Sequence, residues 1–459
     1  MSRLFPKSDP EKDTAIMLGD PKKAIFVTVI PFMISIFIGQ VNMLADVMWC
    51  SGLGSDYISA IQIVSPIYWV IFDVGLGIGL GCNVLIARRI GAGDRIGAQS
   101  IISHGFILAV AIAIILAPLM FILISPMLSW MDASQLTDMS VSYLLPILIC
   151  NVFQVLSPTL SGFLRGEGAA KKSNYAIIIG TVINIVLDPV FIYGLELGVM
   201  GAGIATAISF IISSSVMIHL YISGNTTLRM TFKGFKFQLS EAKEIMFIGF
   251  PKMIEMFMMD LLDAFNRVFL IQCGGIDAVT LFSVPFRLLI LAAMVSNSFG
   301  MALTPVSSAN LGAKMPDKSI VAYKVCLKCM FMISFVLMAI YLVFAEFLIM
   351  PFLQSESMVV MESALVDILR IDAFMIPAIG LSFICNAMLQ SMRKPLLALL
   401  VTFSRNLVTT IAFALLDSTS VDLMCAGMVV VTIIAGIAAF LMTRISISNM
   451  LKAYRPVAV

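Results

Sequence analysis

The feature that most constrains this chain is its long apolar windows. A bilayer-crossing helix needs about 20 mostly apolar residues, and the 459-residue sequence offers twelve such windows. In the first half they run 25–50, 57–86, 101–125, 141–164, 174–194 and 200–223. In the second half they run 246–272, 278–304, 323–350, 366–392, 396–416 and 423–444. Barrel strands would be half as long and would alternate in polarity, so helices are expected. With 60% apolar and only 12% charged side chains, the chain is not an ordinary soluble enzyme, in which about a quarter of residues are charged. Lys and Arg (29) nearly balance Asp and Glu (27), leaving no basic excess for nucleic acid. The eight cysteines lie mostly in apolar segments and form no secreted disulfide framework. Cys326 and Cys329 make a CxxC without a second ligand pair, which reads as two incidental helix thiols.

Lysines and arginines favour the cytoplasmic side of short loops. Here 24 of the 29 alternate onto one side. They are Arg3, Lys7, Lys12, Lys22 and Lys23; Arg88, Arg89 and Arg95; Arg165, Lys171 and Lys172; Arg229, Lys233, Lys236 and Lys243. Lys314, Lys318, Lys324 and Lys328 follow, then Arg393 and Lys394, and last Arg444, Lys452 and Arg455. The opposite turns carry none. Both termini are therefore expected in the cytoplasm. The polar N-terminal twenty residues do not read as a cleavable signal peptide. The longest polar stretch divides the spans six and six, giving an N-lobe (1–223), a cytoplasmic linker (224–245) and a C-lobe (246–459).

The halves repeat at an offset of about 220 residues. IPFM (30–33) aligns with FPKM (250–253), VSPI (64–67) with SVPF (283–286), and ARRIGAGD (87–94) with ANLGAKMPD (309–317). Six spans per half give both halves one topology, as in parallel transporter repeats that hold substrate at their interface. The expected fold is an all-α integral membrane protein of twelve helices in two pseudo-symmetric six-helix bundles.

An ionisable side chain within a span costs about 2.5 to 3.5 kcal/mol on insertion scales, which makes each a functional candidate. The first half carries Asp46, Asp73 and Asp188; the second carries Glu255, Asp260, Asp263, Arg267, Arg287, Asp372 and Arg405. At about 1.5 Å per residue, Asp46 lies roughly 8 Å and Asp188 about 9 Å inside the outer ends of their spans. Asn42 and Asn184 sit one turn deeper on the same faces, and Thr206 on the sixth span is at about 10 Å. Carboxylates, amides and a hydroxyl at one depth suit Na⁺ or exchangeable protons, although polar pairs also serve as interhelical glue. On the seventh span Asp260, Asp263 and Arg267 share a face. Asp263 and Arg267 can neutralise each other, and Asp372, expected near the outer end of the tenth span, is a possible companion for Asp260. Asp73 stands just before GLGIGLG, glycines that more often allow close helix packing than bind phosphate. Arg287 and Arg405 have no assigned role. The 33 Met and 32 Phe include flexible and flat surfaces able to accept varied amphiphiles.

These segments resemble the multidrug and toxic compound extrusion (MATE) family, particularly its prokaryotic, DinF-like branch, which includes archaeal members. The resemblance covers nearly the whole chain and rests on 19–32 (GDPKKAIFVTVIPF), 42–54 (NMLADVMWCSGLG), ARRIGAGD and 184–209 (NIVLDPVFIYGLELGVMGAGIATAIS). It implies a V-shaped exporter that uses inward H⁺ or Na⁺ flow to expel organic cations and other amphiphiles. By matching motif it implies an N-lobe cation or proton site at Asp46, Asn184, Asp188 and Thr206. It further implies a helix bend at Pro31, and a C-lobe site that Asp260 and Asp372 match only approximately. The expectation is thus a monomeric secondary antiporter in the cell membrane. It needs no cofactor beyond its coupling ion, and its partners are small substrates and lipids. A lipid-linked oligosaccharide flippase is the alternative, disfavoured because the buried charges are mainly acidic. An intramembrane enzyme is disfavoured because only His104 and His219 exist, on separate spans.

Overall fold

The computed structural model of the chain describes residues 16–53, 55–130, 134–232, 235–353 and 356–454. Arg3, Lys7, Lys12, Lys233 and Arg455 lie outside the described residues. All regular elements among the described residues are helical. In chain order the longer ones are α1 (Pro21–Ser51), α2 (Ser55–Gly91), α3 (Arg95–Trp130), α4 (Thr137–Ile149), α5 (Asn151–Gly166), α6 (Ala170–Pro189) and α7 (Gly198–Ile222). They continue as α8 (Leu239–Gly312), α9 (Pro316–Val343), α10 (Glu362–Ala373), α11 (Met375–Ser391), α12 (Pro395–Leu416) and α13 (Val421–Tyr454).

Among the described residues, nine helices are long and apolar enough to cross a membrane, and the bent pairs α4/α5 and α10/α11 raise the count to eleven. The remaining expected span, 246–272, is helical as the first part of α8 but carries Lys252, Glu255, Asp260, Asp263 and Arg267, which lower its apolarity. α8 is two helices joined at Gly274 and Gly275; the latter, at φ 68° and ψ −152°, needs a residue without Cβ. With that helix the described residues hold a helical counterpart for each of the twelve windows.

Two expected spans are broken rather than straight. α4 and α5 meet at 56° around Cys150, and α10 and α11 at 40° around Phe374. The second break has a covalent cause. Pro377 has no N–H for the Ala373 carbonyl and its ring crowds it, so the helix tightens and Phe374 N donates to Ile371 O at 3.3 Å. The same chemistry acts after α6. Pro189 leaves the Ile185 carbonyl without its helical donor, and the chain widens into a π turn over Val190–Gly194, closed by Leu195 N to Val190 O at 2.8 Å.

The chain forms two compact units. One comprises Met1–Met253 with Ser308–Ala313, the other Ile254–Ser307 with Lys314–Val459. The first is centred on α2, whose fully buried Ile71, Ile78 and Ile86 pack with Leu160 and Phe163 of α5. The GLGIGLG run does serve packing. Gly75 and Gly79 face the Val155 and Pro158 carbonyls of α5, while Gly77 and Gly81 face the Gly249 and Ile245 carbonyls of α8. Within 224–245, expected as a cytoplasmic linker, Leu228 and Gln238 are bonded to this unit. Glu167 Oε2 accepts from Leu228 N at 2.9 Å, and His104 Nε2 accepts from Gln238 N at 2.8 Å.

The repeat reappears in local geometry. Gly91 and Gly312, matched in the aligned motifs, each lie so close to a backbone carbonyl, of Ala309 and Arg88 respectively, that a Cβ would overlap it. Gly93 (φ 77°) and Lys314 (φ 57°) occupy the corresponding left-handed turn positions. The second unit packs Phe282, Leu365, Leu369, Phe413 and Met424 into its own core.

Candidate functional site

Within the first unit, the last turns of α1 and α6 bring the polar groups together. An i, i+4 spacing puts Asn42 above Asp46 and Asn184 above Asp188 on their own helices. Asn42 Nδ2 donates to Asp46 Oδ2 at 3.0 Å, and Asn184 Nδ2 donates to Asp188 Oδ1 at 3.3 Å. A cross-link joins the two pairs, because the Asn42 amide also donates to Asn184 Oδ1 at 3.0 Å. The Asp46 and Asp188 carboxyls approach each other within hydrogen-bonding range. Beyond the site, Tyr193 in the π turn of α6 donates its hydroxyl to the Trp49 carbonyl of α1, clasping the two helices where both end.

Three buried oxygens here have no hydrogen-bond donor: Asn42 Oδ1, Asp46 Oδ1 and Asp188 Oδ2. Asp46 and Asp188 line a cavity of about 60 Å³, together with Thr206 and Ala202 of α7, Tyr143 of α4 and Gln62 of α2. That space suits an ion or a few waters, each about 30 Å³ in the liquid. It is far below the roughly 300–1,000 Å³ of a drug-sized pocket. The donor set is all oxygen, the kind a hard cation or a proton takes. Na⁺ fits these residues chemically; among the described residues no group of three or more His, Cys, Asp or Glu gathers for a transition metal.

All five first-half residues singled out by depth, Asn42, Asp46, Asn184, Asp188 and Thr206, thus share one site. Sequence reasoning missed Tyr143, Gln62 and Cys50, none of which carries a charge to mark it within an apolar span. Pro31 lies inside α1, which continues through it as one helix. Asp73 is half-buried on α2.

The second unit arranges its charges differently. Asp263 Oδ2 and Arg267 Nη2 pair at 3.0 Å, with side chains 38% and 60% exposed. Asp260 is exposed one turn before them, as is Arg287 in the second part of α8. Arg405 donates to Asn406 Oδ1 at 3.1 and 2.9 Å and lies within electrostatic range of the buried Glu255. Asp372 is wholly buried, and neither carboxyl oxygen has a hydrogen-bond partner. Its helix begins at Glu362, which places Asp372 about 15 Å along it, beside the break at Phe374. It is not joined to Asp260 by any hydrogen bond.

Comparison with known proteins agrees with this architecture. The family model MatE matches residues 31–190 and 251–416. The multidrug export protein MepA of Staphylococcus saprophyticus is 24% identical over 374 residues, spanning 79% of this chain and 80% of that protein. A MATE solved in complex with MaL6 superposes with a TM-score of 0.92 at 29% identity, over 96% of this chain and 99% of that one. A MOP superfamily transporter from Pyrococcus furiosus, described as having a binding pocket of reverse polarity, gives 0.91 at 29% identity, over 95% and 98%. The chain belongs to the MatE family and is a multi-pass membrane transporter, not an enzyme.

Proposed function

We propose that this protein is a secondary multidrug exporter that expels organic cations and other amphiphiles in exchange for H⁺ or Na⁺, with Asn42, Asp46, Asn184, Asp188 and Thr206 as its coupling site. The observation that carries the reading is the pair of facing carboxyls on a small cavity, with three oxygens that no protein group satisfies. A buried polar atom without a partner costs about 1–3 kcal/mol, and a bound cation or proton offsets that cost. The cavity admits an ion and not a drug, so the substrate binds elsewhere and coupling is conformational.

Pro31 supplies a means. It lies fifteen residues before Asp46 on α1, and its missing N–H removes the hydrogen bond that would stiffen the helix there. Occupation of the site repacks α1 against α6, and substrate leaves to the outside. Release of the cation inward resets the site, giving alternating access. Asp260, Asp263 and Asp372 form a second, C-lobe acidic set acting on coupling or substrate. The protein is a monomer of the cell membrane with both termini in the cytoplasm, consistent with its basic loops.

The test is efflux of a fluorescent organic cation from everted vesicles, with pH and Na⁺ gradients imposed separately on wild type and Asp188→Asn. The expected result is transport driven by one gradient in the wild type and lost in the variant. Unchanged gradient-driven efflux in Asp188→Asn would overturn the assignment.

A further inference from the structure

His104 has no part in the coupling site, yet it is closely held near the start of α3. It is 1% exposed, and backbone groups engage both ring nitrogens. Nδ1 lies 2.8 Å from the Ser100 carbonyl oxygen, one turn back on the same helix, and 3.3 Å from Ser100 Oγ. Nε2 lies 2.8 Å from Gln238 N. These partners fix the proton count. A carbonyl only accepts, so Nδ1 carries a hydrogen; a backbone N–H only donates, so Nε2 is bare. His104 is therefore neutral wherever both bonds stand.

What the ring holds is the segment between α7 and α8. That segment runs beside the start of α3. Ser103 Oγ donates to Thr231 O at 3.0 Å, and Phe106 lies 5.7 Å from Phe232 between ring centroids. Phe235 and Phe237 lean on the imidazole itself, at 4.7 and 5.4 Å. The outer side is open: Phe237 and Gln238 are exposed, so a small outward movement brings Nε2 to water. Gln238 also immediately precedes α8, and its carbonyl accepts from Glu241 N and Ala242 N at 3.1 and 3.3 Å. The imidazole thus grips the residue on which the first turn of α8 is built.

A second proton reverses this contact. It can go only to Nε2, where an N–H would then face an N–H and the bond is lost. Among the described residues no carboxylate is bonded to the ring to offset the new charge. Glu241 of α8 has both oxygens on Arg89 of α2, and Glu244 lies 3.7 Å from the same guanidinium. Asp94, just ahead of α3, caps Gly97 N, and Glu167 of α5 holds Leu228 N. Arg95 on α3, Arg165 on α5 and Lys236 between the two phenylalanines are cations, which disfavour another. Phe235 and Phe237 stand tilted at 59° and 40° to the imidazole, so they give it little of the face-on attraction that would hold a cation.

We propose that His104 is a proton-sensitive clasp: with one proton it holds Phe235, Phe237 and Gln238, and through them the start of α8, against α3, and a second proton on Nε2 releases them. Histidine is the side chain that ordinarily changes charge between about pH 5 and 8, so the clasp opens as the water around it is acidified. The device does not depend on the coupling-site reading above. It acts on the connection that carries the chain from α7 into α8, and on no group of the Asp46–Asp188 chamber.

The test is hydrogen exchange read by mass spectrometry on the whole protein in mild detergent, at about pH 8 and about pH 5.5. The signal is the protection of peptides spanning 228–242, corrected for the intrinsic pH dependence of exchange. Losing this bond and leaving its donor unmatched shifts a local opening equilibrium by about 5–100-fold; wild-type protection should fall by that factor in acid. His104→Gln offers a side-chain carbonyl to Gln238 N but takes no proton, so its protection should be equal at both pH values. His104→Phe keeps an aromatic ring beneath Phe235 and Phe237 without an acceptor, so protection should be low at both. Asp188→Asn should respond to acid as the wild type does, which separates the clasp from the coupling carboxyls. Protection in the wild type that does not change with pH would overturn the proposal. So would an acid-induced loss that persists in His104→Gln or disappears in Asp188→Asn, or wild-type protection in His104→Phe at the higher pH.

Discussion

Asp372 offers a sharp separation of stability from function. It is wholly buried in the second unit and neither oxygen has a partner, so it should harm the fold that contains it. An unmatched buried polar atom costs about 1–3 kcal/mol, and this carboxyl presents two. Asp372→Val removes both with a side chain somewhat larger than the one it replaces. Against the gain stand about 0.5 kcal/mol of helix propensity for a β-branched residue and some repacking around the neighbouring Phe374 break. The net expectation is a stabilisation of about 1–3 kcal/mol. For a cooperative unit of about 200 residues, each kcal/mol shifts Tm by about 2–4 °C. Thermal unfolding of purified protein in a mild detergent should therefore rise by about 2–12 °C, while gradient-driven efflux falls. Both halves of that result matter. A lowered Tm would refute the reasoning, because it would mean that the carboxyl is structurally satisfied. A raised Tm with full transport would refute its functional retention.

Two further perturbations probe the frame that holds the site. Gly91→Val places a side chain into the Ala309 carbonyl and should destabilise the first unit by about 3 kcal/mol or more, above the usual 1–3 for overpacking because the obstacle is backbone; an unchanged Tm would show that the approach relaxes freely. Arg89 grips both Glu241 oxygens at 2.9 and 2.7 Å with partly buried side chains, so Arg89→Met should cost about 1–2 kcal/mol, recovered largely in Arg89→Met with Glu241→Gln, as a double-mutant cycle of Tm values would measure.

Much of the site was legible because helices convert spacing into proximity. Asn42 with Asp46, and Asn184 with Asp188, are i, i+4 pairs, and counting residues from a span's end gives their depth. What spacing cannot give is which helices touch. The Asn42–Asn184 bond and the walls supplied by Tyr143 and Gln62 depend on the packing of α1, α2, α4 and α6, for which apolar windows carry no code. The breaks were hidden for a related reason. Hydropathy averages over a kink, so α10 and α11 read as one window although Pro377, four residues after Ala373, marks where the ladder fails. The helix accordingly begins at Glu362, four residues before the window 366–392. The linker was hidden by its polarity, since its anchors to Glu167 and His104 use backbone N–H groups that any residue could supply.

The repeat shows which properties duplication keeps and which it lets diverge. Gly91 and Gly312 make matching approaches, Gly93 and Lys314 matching turns, and Ser161–Ser173 has a counterpart twelve residues apart in Ser307–Ser319. These are demands of helix packing, and both halves meet them alike. The acids obey no such rule. The first unit surrounds Asp46 and Asp188 with amides and a water-sized chamber, whereas the second seals Asp372 away without a partner and pairs Asp263 with Arg267 at an exposed face. Because the packing signature persists where the polar groups differ, the carboxylates are not required by the helical frame. Buried acids that a frame does not require are costly to keep, which is why the proposed coupling role falls on Asp46 and Asp188, the two that line one small chamber.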